Sequence, residues 1–185
     1  MNEVGIVKSI QDIKTITNLL KEHGGEIYRD IWVLGVNTGL RISDLLLIKM
    51  GDLTPDALTV KILKPRRDCH YLIPLNRPAQ DVIKVRQQAY PNDTYLFQAK
   101  SNRAATNKPV NRSVVARKFK EIGEMVNIPL GPHSMRKTFA YQMLKAGAPI
   151  EAIKKSMNHN SSTATLQYLG MTKQDVLDDY TGFEL

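Results

Sequence analysis

His159 stands nine residues before Tyr168, in a run (NHNSSTATLQYLG) otherwise made of small polar and apolar side chains. A phenol, with an ordinary pKa near ~10, becomes a nucleophile only with a base for its proton and positive charge nearby. The chain holds candidates for both. His133 and Arg136 are three apart at what reads as a helix start, which puts both on one face near an end that favours anions. There a guanidinium forks two phosphate oxygens while an imidazole takes or gives a proton. Arg41 sits at a joint between two helical stretches beside Gly39, and Lys64, Arg66 and Arg67 charge a hairpin turn. Each has a plainer reading when taken singly. Arg41 can cap a helix or pair with Asp44, and the hairpin cations can protect a sheet edge. His133 and Arg136 can be a surface pair, Tyr168 a core aromatic, and His159 a helix-end residue beside Asn158.

The elements that must position these residues are mostly helical. Ser9 reads as a helix cap, with Ile10, Ile13, Ile16, Leu19 and Leu20 as an apolar face and Gly24-Gly25 as the stop. A second helix is expected from Glu26 to Asn37, broken at Thr38-Gly39, and a short third one as DLLLIKM after Ser43. LTVKIL and CHYLIPL, separated by KPRRD, read as a hairpin near 57–75. Arg77-Pro78 opens a helix through Ala89, and 98–110 is polar and basic enough to be a loop. Further helices are expected over 111–126 and 132–146, then from Pro149 to a left-handed stop at Asn158, and over 161–168 and 172–180. The fold class is therefore mainly α with a small antiparallel β-hairpin, in one domain spanning 1–185.

Composition sets limits on the function. The 185 residues suffice for one well-buried core and a lobe beside it, and 42% hydrophobic with 24% charged residues is ordinary for a globular protein. Lys and Arg number 26 against 18 Asp and Glu, and the resulting +8 points toward a polyanion. The single cysteine, Cys69, excludes an internal disulfide and suits a reducing, cytosolic compartment. With His23, His70, His133 and His159 scattered, no zinc-ligand spacing exists, and neither metal nor cofactor is expected. No run of ~18 apolar residues suggests a membrane span, and the N-terminus does not read as a signal peptide.

TGLRISDLL, the hairpin lysine, HSMRKTFAYQMLKAGAPIEAIKKSMNH and the tyrosine nine residues beyond resemble the catalytic domain of the tyrosine recombinases, the phage integrase family. The likeness runs from about Ser9 to the C-terminus. It implies a catalytic set of Arg41, Lys64, His133, Arg136, His159 and Tyr168. It also implies metal-free transesterification through a 3′-phosphotyrosine, on double-stranded DNA with inverted half-sites, by subunits that assemble as a tetrameric synapse. Asp44 stands where the family often has Glu, Lys137 where it often has His, and Asn158 where it often has Gly. No N-terminal core-binding domain is expected before Arg41, and the acidic tail DVLDDYTGFEL is expected to contact a neighbouring subunit, with packing on its own domain as the alternative. A type IB topoisomerase-like nicking and rejoining enzyme uses the same residues, and a non-catalytic DNA-binding regulator shares the fold. Both stand as alternatives to site-specific recombination.

Overall fold

The computed structural model describes residues 4–54, 56–64, 67–100 and 107–170, with backbone alone for 60–64 and 67–71. Helix α1 (Ile10–Gly24) starts where Ser9 Oγ accepts from the Gln11 and Asp12 amides, and Gly25 turns the chain at φ 88° into α2 (Glu26–Thr38). Gly39, left-handed at φ 65°, ends α2 and aims the chain through Arg41 into α3 (Ile42–Leu46). The expected continuation of α3 through Lys49 and Met50 does not form. Lys49 is extended and bridges Tyr95, and its amide donates to Asp52 Oδ2 at 2.9 Å, closing a single 3-10 turn over Met50–Asp52. Tertiary pairing overrides local helical preference there.

Strands β1 (Ala57–Lys64) and β2 (Arg67–Pro74) form an antiparallel two-stranded sheet, in register from Ala57 opposite Pro74 to Lys64 opposite Arg67. Lys64 and Arg67 are thus the last ladder pair and not turn residues, and Arg66 lies outside the described residues. Asn76 caps α4 (Arg77–Ala89), with Pro78 in its first turn. The segment expected as a plain loop carries a bridge between Gln98 and Pro109, with Val110 N donating to Phe97 O at 2.8 Å. Asn111 caps α5 (Arg112–Met125), which leads through left-handed Asn127 to α6 (Ser134–Lys145), α7 (Ile150–Ser156) and α8 (Ser162–Tyr168). The expected helix at 172–180 and the acidic tail lie outside the described residues. Among the described residues, no helix is long and apolar enough to cross a membrane.

Two apolar clusters result. The larger gathers Ile16, Leu20, Ile31, Trp32, Phe97, Phe119 and Met135 around the central α2, with Trp32 and Phe119 edge to face at 5.6 Å. The smaller holds Ala140, Ile153, Met157 and Leu169, with Phe139 and Tyr168 packed on it. Helix α6 belongs to both, and its seat on α2 depends on two glycines. A Cβ at Gly35 would collide with Met135, and one at Gly39 with Phe139, so a side chain at either position would force its neighbour on α6 to shift.

One buried ion pair braces the larger cluster. Arg86 Nη1 lies 3.2 Å from Asp30 Oδ2, both side chains at most 3% exposed, and Arg86 Nε donates to Leu96 O at 2.7 Å. Burial pushes the Asp30 carboxyl up while Arg29 and Arg86 pull it down. Arg86→Ala leaves that carboxylate to Arg29 alone, whose Nη2 lies 2.7 Å from Oδ1, and is expected to lower stability by about 1–3 kcal/mol, read from urea unfolding at pH 7. A loss below about 1 kcal/mol would show that Arg29 alone suffices to hold Asp30.

Candidate active site

The six residues named from the sequence come from five places along the chain, and α6 is the hub. His133 occupies the cap position of α6 and is exposed, whereas Arg136, one turn in, is only 6% exposed. Arg136 Nη1 donates to Gly39 O at 2.7 Å, and Nη2 donates to Met157 O. Those carbonyls end α2 and α7, so one guanidinium ties the approach to Arg41 to the approach to His159. A carbonyl at a helix end carries partial negative charge, which suits a buried cation.

Arg41 is half-buried at the N-terminus of α3, its Nη1 3.9 Å from Asp44 Oδ2. Gly39, not Arg41, caps α2, and the Arg41 side chain makes no capping bond to α3, so of its plainer readings the long ion pair with Asp44 is the one found, and it coexists with a place in the site. Asn158, left-handed at φ 48°, turns the chain after α7, and the His159 amide donates back to Lys154 O at 3.1 Å. Ser161 then caps α8 by accepting from Ala164 N, which sends Tyr168 back toward His159. The two rings meet edge to face, 5.2 Å between centroids at 76°. The pairing suspected from nine-residue spacing is a physical contact.

The Tyr168 hydroxyl is buried and has no well-aligned hydrogen-bond partner, although it lies in the field of Arg136 and Arg41. Burial raises its pKa above the usual 10.0, and the two guanidiniums lower it only in part, so the resting phenol is protonated. Arg136 has its own pKa lowered by burial and then by Arg41, a like charge that an anion between them would relieve. Lys64 ends β1 at the last pair of the hairpin, and its side chain lies outside the described residues.

Three further residues contribute that the sequence does not place in the site. Lys137 Nζ lies 5.6 Å from the centre of the Tyr168 ring and donates to Val4 O at 3.1 Å. Arg112, at the start of α5, acts electrostatically on His133. Thr165, fully buried in α8, has its hydroxyl 3.1 Å from His159 Nδ1. Lys137 was visible as a departure from the family pattern, whereas nothing in the local sequence marks Arg112 or Thr165.

Both histidines are held below the usual 6.5. For His133 desolvation is the first cause and the cations Arg112, Arg136, Arg41 and Lys137 follow; because the residue is exposed, those cations are the firmer reason. For His159 desolvation comes first, then Arg136 and Arg41. Both imidazoles are thus neutral at pH 7 and able to accept a proton. Their folded pKa values lie below the unfolded value, so their contribution to stability is present at neutral pH. It is lost as pH falls from 6.5 through the folded values. Nuclear magnetic resonance titration is expected to place both midpoints below 6.5 in the free protein and to move them upward once a DNA phosphate enters. A midpoint at or above 6.5 without DNA would contradict this electrostatic picture.

A mainly helical domain with a small two-stranded sheet, in which a tyrosine, two histidines and two arginines cluster, has the architecture of a tyrosine recombinase catalytic domain. The phage integrase family model matches residues 9–175, and the chain belongs to that family. It is 26% identical over 185 residues to the probable integrase/recombinase YoeC of Bacillus subtilis, covering 99% of this chain and 98% of that protein. It is also 26% identical over 178 residues to the tyrosine recombinase XerC of Leptospira interrogans, covering 92% of this chain but 56% of XerC. The chain therefore spans nearly all of one relative and little more than half of another. Among solved structures, the Tn1549 transposon integrase in complex with a circular intermediate DNA superposes with a TM-score of 0.70 at 20% identity, over 97% of this chain and 66% of that one.

Proposed function

We propose that the chain is the catalytic domain of a site-specific DNA recombinase that cleaves and rejoins strands through a 3′-phosphotyrosine, without a metal. The observation that carries this reading is one cluster of cations around one phenol. Arg41 and Arg136 act on Tyr168 and His159, and the same two guanidiniums act on His133. An anion is what such a cluster lacks, and the family and the DNA complex of the Tn1549 integrase point to a DNA phosphodiester.

Tyr168 Oη attacks the phosphorus, a bond to it forms, and the bond to the 5′-oxygen breaks. His133, neutral and surrounded by cations, receives the phenolic proton. Arg41 and Arg136 hold the non-bridging oxygens, whose charge grows in the transition state. His159 donates a hydrogen bond to the phosphate, and Lys64, at the end of the hairpin, gives a proton to the departing 5′-oxygen. The phosphotyrosine keeps the energy of the broken bond, so rejoining needs no ATP. The entry of phosphate into the positive field also favours the phenolate less than the free site does, so His133 must work as a base while the phosphorus is attacked.

The partner is duplex DNA bearing inverted half-sites, on which copies of the chain assemble as a tetramer. Incubation with a nicked suicide substrate tests the reading, because the short cleaved fragment diffuses away and traps the covalent protein–DNA species. Its absence would leave the non-catalytic regulator. An adduct together with strand exchange between two sites supports the recombinase, whereas relaxation of a single supercoiled molecule without exchange would favour the topoisomerase-like alternative.

A further inference from the structure

The Thr165 hydroxyl has two neighbours and one hydrogen. It lies 3.2 Å from Ser161 O along its own helix and 3.1 Å from His159 Nδ1. Ser161 O is an acceptor only, whereas Nδ1 is an acceptor in one neutral tautomer and a donor in the other and in the cation. Thr165 is fully buried, so water cannot replace it, and a β-branched side chain in a helix has few rotamers with which to turn away. His159 in turn is fixed from its other sides by the edge-to-face contact with Tyr168 and lies in the field of Arg136 and Arg41.

We propose that Thr165 is a positioning residue for the reaction: its hydroxyl occupies His159 Nδ1 and thereby keeps Nε2–H as the ring donor presented to the scissile phosphate. This rests on the recombinase reading given above. When His159 is neutral, Ser161 O keeps the Thr165 amide as its donor at 3.3 Å, so the hydroxyl hydrogen turns from Ser161 O to Nδ1 and the only ring proton sits on Nε2. When the incoming phosphate draws a second proton onto the ring, the hydroxyl rotates. Its hydrogen goes to Ser161 O and its oxygen accepts from Nδ1–H. Nε2–H is unchanged in both states. Without the hydroxyl, the neutral ring has an unsatisfied Nδ1 lone pair and the cation an unsatisfied Nδ1–H, the second being the costlier in a buried place.

Thr165→Val preserves shape and removes the hydroxyl; Thr165→Ser preserves the hydroxyl and removes a methyl group. The full chain, labelled with nitrogen-15, reports the His159 tautomer and titration directly and without any substrate. The wild type and Thr165→Ser are expected to be Nε2–H tautomers with matching midpoints. Thr165→Val is expected to titrate lower, because its imidazolium has lost its Nδ1 acceptor. In single-turnover cleavage of the suicide substrate, Thr165→Val is expected to be about 10-fold slower, the worth of one net hydrogen bond, with Thr165→Ser close to wild type. A thermal melt shared by both variants excludes misfolding as the cause. A wild-type Nδ1–H tautomer, or a Thr165→Val midpoint equal to wild type, overturns the proposal. If the wild type forms no adduct at all while the titrations behave as stated, the recombinase reading fails and the Thr165–His159 linkage is upheld.

Discussion

Tyr168→Phe is expected to abolish the covalent protein–DNA adduct while duplex binding changes little. The substitution removes one hydroxyl whose neighbour Arg136 keeps its bonds to the Gly39 and Met157 carbonyls, so no partner is left stranded. The ring keeps its edge-to-face contact with His159 and the Lys137 ammonium above it. Arg41 and Arg136 remain to bind phosphate, and the hydroxyl's burial means that its loss lightens a desolvation cost. The fold and the anion site therefore survive, and only the bond-forming atom is gone. Of the competing phenols, Tyr141 packs with the smaller cluster under Lys8, and Tyr180 lies outside the described residues. The measurement is a detergent-resistant gel shift on the suicide substrate beside a native binding assay. A shifted band with Tyr168→Phe would assign the nucleophile elsewhere.

Loss of either arginine is expected to slow cleavage by ~10²–10³-fold or more, the usual cost of removing a donor that faces growing transition-state charge. The two differ in what else they break. Arg41 has a side chain 40% exposed and one long contact to Asp44, so Arg41→Ala leaves the fold intact. Arg136 is 6% exposed and donates to the carbonyls of Gly39 and Met157, so Arg136→Ala also unties α2 from α7 and leaves two buried acceptors unpaired. A lower melting temperature is expected for Arg136→Ala alone, by several degrees for a domain of this size. Arg136→Lys keeps the charge but cannot span both carbonyls with a planar fork, and is expected to recover little activity. Single-turnover rates and melting curves on the same preparations decide the matter. Equal melting temperatures for the two alanine variants would refute the bracing role of Arg136.

Much of this molecule is determined by neighbours along the chain, and that part can be read without a structure. Ser9 and Asn111 cap helices because their side chains reach amides two or three residues on, and Gly39, Gly147 and Asn158 stop them by adopting positive φ. The hairpin follows from two β-favouring runs. The pairing of His159 with Tyr168 rests on one turn and one short helix, so spacing alone suggested it. Where distant segments compete with local preference, the sequence misleads. The helix expected through Lys49 yields to pairing with Tyr95, and the loop at 98–110 gains a bridge.

The convergence of the site belongs to tertiary structure. Arg41 and Arg136 are 95 residues apart in the chain, and they lie in one another's field because α6 lies directly on α2. That approach requires the missing Cβ atoms of Gly35 and Gly39 and the facing Met135 and Phe139, a complementarity with no local signature. Arg112 enters the field of His133 and Lys137 that of Tyr168 by the same packing. Thr165 is one threonine among several until burial places its hydroxyl on His159. Backbone caps and turns are set by forces that act over a few residues, whereas the identity of each side chain's partner is set by which surfaces can come together.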